Sequence, residues 1–293
     1  TLPTVWGEKV VMRILDNSTA RLDLADLGFS RSNYDRYAQS FTKPYGMILV
    51  TGPTGSGKST TLYATLNILN KPEVNIITVE DPVEYRLPGI AQVQTNVKAG
   101  LTFAASLRSI LRSDPDIVLI GEIRDHETAQ IATEAALTGH LVLSTLHTND
   151  APSAITRLTE MGIEPFLVGS AVDAVLAQRL ARRLCAKCKE AYTPTEEALV
   201  AARVEWDLSA GMPTLYRPVG CPSCSGTGYK GRLALHEVMV VTEEIERLAV
   251  EHAPATEINK AALASGMITL RNDGLDKARQ GVTSIDEILR VVV

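Results

Sequence analysis

The segment Gly52-Pro-Thr-Gly-Ser-Gly-Lys-Ser59 has the residue types and the spacing of a phosphate-binding loop, G-x-x-x-x-G-K-[ST]. Glycines let the backbone wrap an anion, so that successive N–H groups and the start of the following helix face the phosphates. Lys58 is expected to reach the β- and γ-phosphates, and the Ser59 hydroxyl to ligate Mg²⁺. The sequence therefore predicts a site for a nucleoside triphosphate, with contacts from Gly52, Pro53, Thr54, Gly55, Ser56, Gly57, Lys58, Ser59 and Thr60.

Two apolar runs end in acidic residues, and phosphoryl transfer to water needs an acid that holds magnesium or orients the attacking water. Ile117–Ile120 is followed by Gly-Glu122, and a second run ends in Glu80-Asp81-Pro82. The carboxyl ends of parallel strands meet at one edge of a sheet, so both glutamates are expected beside the loop. Glu122 and Glu80 are the predicted catalytic acids. Glu80 and Asp81 could instead cap the turn into Pro82, since acids are common turn residues.

His140 and His147 flank a fourth apolar run in Gly139-His-Leu-Val-Leu-Ser-Thr-Leu-His-Thr148. A histidine at a strand end near phosphate could sense the γ-phosphate or relay a change between subunits. A neutral core histidine that only makes a hydrogen bond is an equally good interpretation of this spacing. We place His147 among the predicted nucleotide-binding residues.

Strand-like and helix-like segments alternate around these motifs. Apolar runs that suit buried parallel strands occur at Gly46–Thr51, Asn75–Val79, Asp116–Ile120 and Leu141–Thr145. Helices are predicted at Ser30–Phe41, with Ser30 as the N-cap, and at Ser59–Asn70, Phe103–Ser113 and Glu127–Leu137. This alternation predicts βαβ units and a mostly parallel sheet, which is an α/β fold.

The remaining segments are less regular. We predict a strand at Lys9–Leu15, an inserted hairpin at Val83–Asn96, helices over Ala151–Leu184, a strand at Arg232–Val241, and short helices from Thr242 onward. The chain is expected to divide into 1–29, a C-terminal remnant of a preceding domain with a linker; 30–180, the nucleotide-binding core; 181–232, a tetracysteine subdomain; and 233–293, a mainly helical C-terminal subdomain.

The four cysteines form two CxxC pairs, Cys185/Cys188 and Cys221/Cys224. Two such pairs can supply four thiolates to Zn²⁺ in a closed structural site. The gap of 32 residues between the pairs exceeds that of the compact zinc-ribbon pattern, so two disulfides, a redox pair or unligated thiols are alternatives. Four possible ligands make structural zinc the preferred prediction, and disulfides would be disfavoured in a cytoplasmic protein.

Composition narrows the class of protein. The 293 residues are 45% apolar and 22% charged, which excludes wholesale disorder, and no apolar run approaches the length of a membrane span. The formal charge of −5 argues against nucleic-acid binding, because such domains usually carry a basic excess. A solvated or protein-docking face is the preferred interpretation of the basic cluster Arg179, Arg182, Arg183, Lys187 and Lys189.

Four motifs stand in order along the chain: the phosphate loop, Ile77–Glu84, Arg112–Asp125 and Thr138–Asn149. They resemble the Walker A, Asp box, Walker B and His box of the secretion ATPases. Within that superfamily the sequence resembles the type II secretion and type IV pilus assembly ATPases (GspE/PilB-like) over essentially its whole length. The resemblance implies a RecA-like P-loop NTPase core in a homohexameric ring, with ATP bound between subunits.

The resemblance also implies roles for single residues. Glu122 matches the catalytic Walker B acid and Glu80 an Asp-box acid near the γ-phosphate. Arg13 would come from the preceding domain as an arginine finger, although a strand-edge charge is the alternative. Other arginines are similar to those that the family places around the nucleotide or the subunit interface: Arg108, Arg112, Arg124 and Arg157. The spacing of Arg108 and Arg112 also suits a solvated helix face.

The expected function is a Mg²⁺-dependent ATP hydrolase that powers pilin or pseudopilin assembly. The resemblance implies a cytoplasmic protein, peripheral at the inner membrane, with an inner-membrane platform protein and a cytoplasmic docking protein as partners. Assembly and secretion members carry a tetracysteine insertion that retraction ATPases typically lack. The alternatives are a pilus retraction or conjugation-type traffic ATPase, a RecA-like nucleic-acid translocase, and a nucleotide-gated scaffold that hydrolyses little.

Overall fold

The structure is a computed structural model that describes residues 1–12, 23–201 and 211–292. Its strands are β1 (Leu2–Thr4), β2 (Gly7–Lys9), β3 (Gly46–Thr51), β4 (Ile76–Glu80), β5 (Ala91–Gln94), β6 (Ile117–Ile120), β7 (Leu141–Leu146), β8 (Val172–Leu184), β9 (Glu190–Tyr192), β10 (Leu215–Arg217) and β11 (Tyr229–Val240). Its helices are α1 (Arg31–Phe41), α2 (Lys58–Leu69), α3 (Phe103–Ile110), α4 (His126–Leu137), α5 (Pro152–Glu160), α6 (Pro165–Ala171), α7 (Glu196–Ala201), α8 (Glu243–Val250), α9 (Ala255–Ala264), α10 (Leu270–Arg279) and α11 (Ile285–Val291).

Seven of these strands form one sheet in the order β11-β8-β3-β7-β6-β4-β5. All neighbours within it pair in parallel except β11, which runs antiparallel to β8 at the edge. The predicted α/β fold with a mostly parallel sheet is confirmed. Strands β3, β4, β6 and β7 end at the same edge, and the candidate catalytic residues lie at those ends or just after them.

The central strand β3 is buried on both faces because helices cover both sides of the sheet. Met47 and Leu49 belong to one core, with residues of α3 to α6, α8 and α9. Ile48 and Val50 belong to a second core, with residues of α1 and α2. This double burial explains why the strand is a continuous apolar run rather than an alternating one.

Most predicted elements are confirmed within one to three residues of their ends. The Ser30 hydroxyl accepts a hydrogen bond from the Asn33 N–H and so caps α1 as predicted. The C-terminal helices α8 to α11 follow β11, also as predicted. Among the helices that the structure describes, none is long and apolar enough to cross a membrane.

The predicted helical stretch Ala151–Leu184 is wrong in its second half. Helices occupy only Pro152–Glu160 and Pro165–Ala171, and the chain then enters β8. This strand is rich in Leu, Ala, Arg and Gln, which favour helices in isolation. It is a strand because it pairs with β3 on one side and β11 on the other, and tertiary pairing overrides local propensity.

Two further predictions need correction. Val83–Asn96 is not a hairpin: its strand β5 pairs in parallel with the preceding β4, and the chain between them crosses over without a helix. The predicted strand Lys9–Leu15 is also displaced, because the strand there is Gly7–Lys9 and pairs with β1. Residues 13–15 of that prediction lie outside the described residues. The four-segment division stays a prediction, and the sheet takes strands from both sides of its boundary at residue 180.

Candidate nucleotide site and tetracysteine cluster

The predicted phosphate loop connects β3 to α2 at the carboxyl edge of the sheet. Gly52, Gly55 and Gly57 have φ angles of 148°, 79° and 89°, a region that residues with a side chain rarely adopt. The Lys58 ammonium donates hydrogen bonds to the carbonyl oxygens of Gly52 at 2.8 Å and Pro53 at 3.1 Å. Burial lowers the pKa of Lys58, and the nearby Glu122 carboxylate partly offsets this effect.

The loop borders a cleft of about 530 Å³. Its lining includes seven of the nine predicted loop contacts, Thr54 to Thr60, but not Gly52 or Pro53. Glu80, Glu122 and His147 reach the same cleft from the ends of three neighbouring strands. The structure thus brings together predicted residues that are separated by up to 93 positions in the chain, from Thr54 to His147.

Glu122 lies in a turn after β6 that β7 holds in place. The Thr145 hydroxyl donates to the Gly121 carbonyl oxygen at 2.8 Å, and the Ile123 N–H donates to the Thr145 carbonyl oxygen at 3.1 Å. A side chain at position 121 would come within 3.3 Å of the backbone of Glu80, so β4 leaves room only for glycine before Glu122 without a local shift.

The Glu122 carboxylate bridges an arginine and a histidine. One oxygen lies 2.6 Å from Nε of Arg124 and the other 2.7 Å from Nε2 of His147. Nδ1 of His147 lies 3.2 Å from the carbonyl oxygen of Gly52. Both ring nitrogens therefore face oxygen atoms, and His147 joins Glu122 to the phosphate loop. Both contacts can form together on an imidazolium ring, or on a neutral ring beside a protonated Glu122.

The Glu80 carboxylate is buried and accepts hydrogen bonds from three neutral side chains. The Tyr63 hydroxyl on α2 donates to one oxygen; Thr78 Oγ1 at 2.5 Å and Gln92 Nε2 at 3.1 Å donate to the other. Burial, followed by the hydrogen bond to Glu80, raises the pKa of Tyr63. The carboxylate therefore has a fixed orientation at the cleft. None of these three donors is among the residues predicted from the sequence.

The other predicted residues are more scattered. Arg124 lines the cleft, whereas the exposed Arg108 pairs with Glu127 on α4 and Arg157 pairs with Glu160 at 3.4 Å. The exposed Arg112 is not part of the cleft lining, and Arg13 lies outside the described residues. His140 precedes β7 at the opposite edge of the sheet, where Nδ1 contacts the Ala135 carbonyl oxygen at 3.1 Å.

Three of the five basic residues considered as a surface patch make internal contacts. Arg179 donates to the carbonyl oxygen of Asn149 at 2.9 Å, Arg182 pairs with the buried Glu287 at 2.7 Å, and Lys189 donates to the Gly281 carbonyl oxygen at 2.6 Å. These contacts hold β8 and the chain after it to neighbouring segments of the same molecule.

The four cysteines converge where β8 ends and β11 begins. Their sulfur atoms all lie within 4.8 Å of one another, with separations of 3.9 Å for Cys185–Cys221 and 3.8 Å for Cys188–Cys224. None is disulfide-bonded. Four thiolates around a tetrahedral Zn²⁺ with bonds of about 2.3 Å have sulfur atoms about 3.8 Å apart, so the cluster has the dimensions of a metal site.

The surroundings of the sulfur atoms favour a thiolate at Cys224 but not at Cys188. The backbone N–H groups of Cys221 and Gly228 both lie 3.2 Å from the Cys224 sulfur. Desolvation raises the pKa of the Cys224 thiol, but hydrogen bonds outweigh it and the value falls to about 6. Desolvation is also the main cause that raises the pKa of Cys188 to about 11. A bound cation would favour the thiolate form of the four cysteines, and the cluster can hold a metal ion.

Known proteins resemble this chain over nearly its whole length. The type IV pilus assembly ATPase PilB of Thermus thermophilus is 54% identical over 289 residues, which are 99% of this chain and 32% of that protein. The type II secretion system ATPase E of Vibrio cholerae is 52% identical over 292 residues, 99% of this chain and 57% of that protein. The chain therefore spans between about a third and three fifths of the length of these relatives.

Structural and family comparisons agree with these matches. A crystal structure of the pilus retraction motor PilT with bound ADP has a TM-score of 0.64 and 25% identity, and the match covers 92% of this chain and 66% of that one. The family described as Type II/IV secretion system protein matches residues 1–290. The chain belongs to the type II/IV secretion system protein family.

Proposed function

We propose that this chain is the ATP-hydrolysing part of a motor that powers pilin or pseudopilin assembly in a type II secretion or type IV pilus system. The observation that carries the proposal is the position of Glu122, at the same cleft as the phosphate loop and in contact with His147, which also touches the loop. Hydrolysis needs an acid at this place to orient water toward the γ-phosphate.

The residues at the cleft have different roles in binding and hydrolysis. The backbone N–H groups of the loop and the Lys58 ammonium bind the phosphates, and Ser59 would hold Mg²⁺ through its hydroxyl. Mg²⁺ supplies charge neutralisation on the phosphates when it is bound. The Glu122 carboxylate orients the attacking water. The Glu80 carboxylate, at the same cleft, would lie near the γ-phosphate. His147 contacts the nucleotide or reports its state to the loop.

We further propose that the cysteine cluster, Cys185, Cys188, Cys221 and Cys224, holds one structural Zn²⁺. Its donor set and the tetrahedral spacing of the sulfur atoms support this assignment. The resemblance to the secretion ATPases implies that such a cluster occurs in assembly and secretion ATPases rather than in retraction ATPases. The curated relatives at 52–54% identity carry assembly and secretion names, whereas the retraction motor is 25% identical. These comparisons favour the assembly role.

The whole protein is proposed to act as a homohexamer in the cytoplasm, peripheral at the inner membrane. Its partners would be an inner-membrane platform protein and a cytoplasmic docking protein, without nucleic acid. Arg13 would act as an arginine finger from the segment 1–29. The use of Arg179, Arg182 and Lys189 in internal contacts argues against the nucleic-acid translocase alternative.

Two substitutions test the assignment of the cleft. Lys58→Ala should abolish the binding or the turnover of ATP, because it removes the cation that reaches the phosphates. Glu122→Gln should leave binding intact and lower turnover by about two orders of magnitude or more, as expected when a water-orienting group is lost. ATP binding and phosphate release are measured for both variants, with Glu134→Gln on the exposed side of α4 as the control.

Each variant has a result that would contradict its assignment. Hydrolysis at the wild-type rate by Lys58→Ala would refute the phosphate site. Equal losses of binding and turnover in Glu122→Gln would give Glu122 a metal-binding or structural role instead.

A further inference from the structure

The amide of Gln178 on β8 lies directly behind the phosphate loop. Ala177 pairs with Thr51, the last residue of β3, so Gln178 is the first residue of β8 beyond the point where β3 turns into the loop. Its side chain is buried, with 2% of its surface exposed. A buried amide must find partners for its donors and its acceptor, and here these partners belong to the loop and to α2.

Both ends of the amide are engaged. Nε2 of Gln178 donates to the carbonyl oxygen of Ser56 at 2.7 Å, and Oε1 accepts from the Thr61 hydroxyl at 2.7 Å. Ser56 belongs to the loop and Thr61 to the first turn of α2. A single side chain therefore bridges the two segments whose N–H groups would face the phosphates.

The contact with Ser56 has a direct consequence for anion binding. The N–H groups of the loop can face an anion only if carbonyl groups of the same loop point the other way. A carbonyl that points into the protein needs a donor there, because an unsatisfied buried carbonyl is costly. Gln178 supplies that donor for Ser56.

The glycines of the loop are also in close contact with Gln178. A side chain at position 52 would come within 2.4 Å of the backbone oxygen of Gln178, and one at position 57 within 2.8 Å of its Nε2. Gly52 and Gly57 therefore allow the loop to rest against β8 as well as to wrap the phosphates.

We propose that Gln178 is a positioning residue that holds the phosphate loop in the conformation that binds nucleotide. The proposal rests on the nucleotide site proposed above and assigns a function to a residue outside the phosphate-loop motif. Without the amide, only a fraction of the molecules would have the competent loop, and the apparent affinity for nucleotide would fall by that fraction.

The test compares two substitutions of similar size. Gln178→Met removes both hydrogen bonds and should weaken the affinity for MgADP about tenfold, the order of magnitude for an unsatisfied buried polar group, at every pH. Gln178→Glu should have a pH-dependent effect. Its carboxylate repels the Ser56 carbonyl oxygen, but its protonated form can donate to that oxygen and still accept from Thr61. Burial raises the pKa of an introduced carboxyl group, so this recovery is expected as the pH falls from 8 toward 6.

Affinity is measured by calorimetry with MgADP as the probe, as a ratio to the wild-type chain at each pH. Gln39→Glu on the exposed face of α1 is the control for the change of charge and should keep a ratio near one. Circular dichroism reports whether each variant is folded. If Gln178→Met does not fold, Thr61→Val should still weaken binding a few-fold, because it removes the hydroxyl that donates to Oε1 at 2.7 Å and makes a longer contact of 3.4 Å with the Gly57 carbonyl oxygen.

The outcomes separate this inference from the proposed function. Recovery of Gln178→Glu at low pH with a constant loss in Gln178→Met supports the positioning role. Equal and pH-independent losses in both variants, or wild-type affinity of either variant at pH 8, would overturn it while leaving the nucleotide site intact. A wild-type chain that does not bind MgADP would overturn the proposed function, and this inference with it.

Discussion

Glu287 on α11 offers a sharp quantitative test of how the C-terminal helices are attached to the sheet. Its carboxylate is completely buried and accepts hydrogen bonds from the Arg182 side chain at 2.7 and 2.9 Å, from the Arg182 N–H at 2.8 Å, and from Arg290. Burial raises the pKa of Glu287, but these bonds outweigh it and lower the value to about 2, from an ordinary 4.5. The charged form is therefore strongly favoured in the folded chain.

The pKa difference sets the size of the expected effect. A shift of about 2.5 units corresponds to about 3 kcal/mol of stability, at 1.36 kcal/mol per unit. Arg182 and Arg290 are about half exposed, so solvent screening reduces the figure to about 2 kcal/mol. Glu287→Gln removes the charge with little change in shape and should lower the free energy of unfolding by about this amount at pH 7.

The pH dependence has a definite sign. A carboxyl group whose pKa is lower in the folded chain than in the unfolded chain stabilises the fold fully when the pH is above the unfolded-state pKa. The stabilisation is lost as the pH falls through the folded-state pKa. The difference between the wild-type chain and Glu287→Gln should be constant from pH 7 to about 5.5 and fall below half by pH 3. Urea unfolding at pH 7, 5.5 and 3 measures it.

A matched control is available on α8. Glu244 also accepts two hydrogen bonds from an arginine, Arg247, but both side chains are more than half exposed. Glu244→Gln should therefore change the stability little, because exposed ion pairs contribute little. A loss in Glu287→Gln that is the same at pH 7 and pH 3, or no larger than that of Glu244→Gln, would refute the reasoning.

Two further predictions concern the functional groups. Elemental analysis should find one zinc per chain. Cys188→Ser should lose the metal and have a lower melting temperature, because metal binding is coupled to folding. A metal-free, disulfide-bonded sample would contradict the zinc assignment. Tyr63→Phe should lower ATP turnover about tenfold, since it removes a donor from the buried Glu80 carboxylate, while the affinity for MgADP changes little because the loop is untouched. Calorimetry and phosphate release measure the two quantities, and equal losses in both would show that Tyr63 supports the fold rather than Glu80.

The residues that could be predicted share a local signal. The phosphate loop is a contiguous motif between an apolar strand and a helix; Glu80 directly follows an apolar run, and Glu122 follows another after one glycine. Because parallel strands end at one edge, the position of the strand ends alone predicts that these acids share a cleft. No knowledge of long-range contacts is needed for this step.

The residues that were missed depend on contacts between distant segments. Tyr63 and Gln92 hold Glu80 from 17 and 12 positions away, and neither belongs to a motif that marks its role. Gln178 acts on Ser56 from 122 positions away. Its role also depends on β8 being a strand, which its pairing with β3 and β11 determines rather than its own composition.

An alternation of side chains with a period of two residues along β8 would have been the sequence signal for these contacts. Side chains alternate between the two faces of a strand, so Gln178, Leu180 and Arg182 share one face. Gln178 contacts the phosphate loop, Leu180 lines the cleft, and Arg182 binds the buried Glu287 of α11. The chain then enters the cysteine cluster at Cys185. One face of a single strand therefore connects the candidate nucleotide site to the C-terminal helices.

Because Gln178 and Arg182 bind different partners, Glu287→Gln should lower stability without changing the affinity for MgADP, whereas Gln178→Met should change that affinity directly. A parallel loss of affinity in both variants would mean that α11 sets the position of β8, and that Gln178 transmits a constraint that originates at the C-terminal end of the chain.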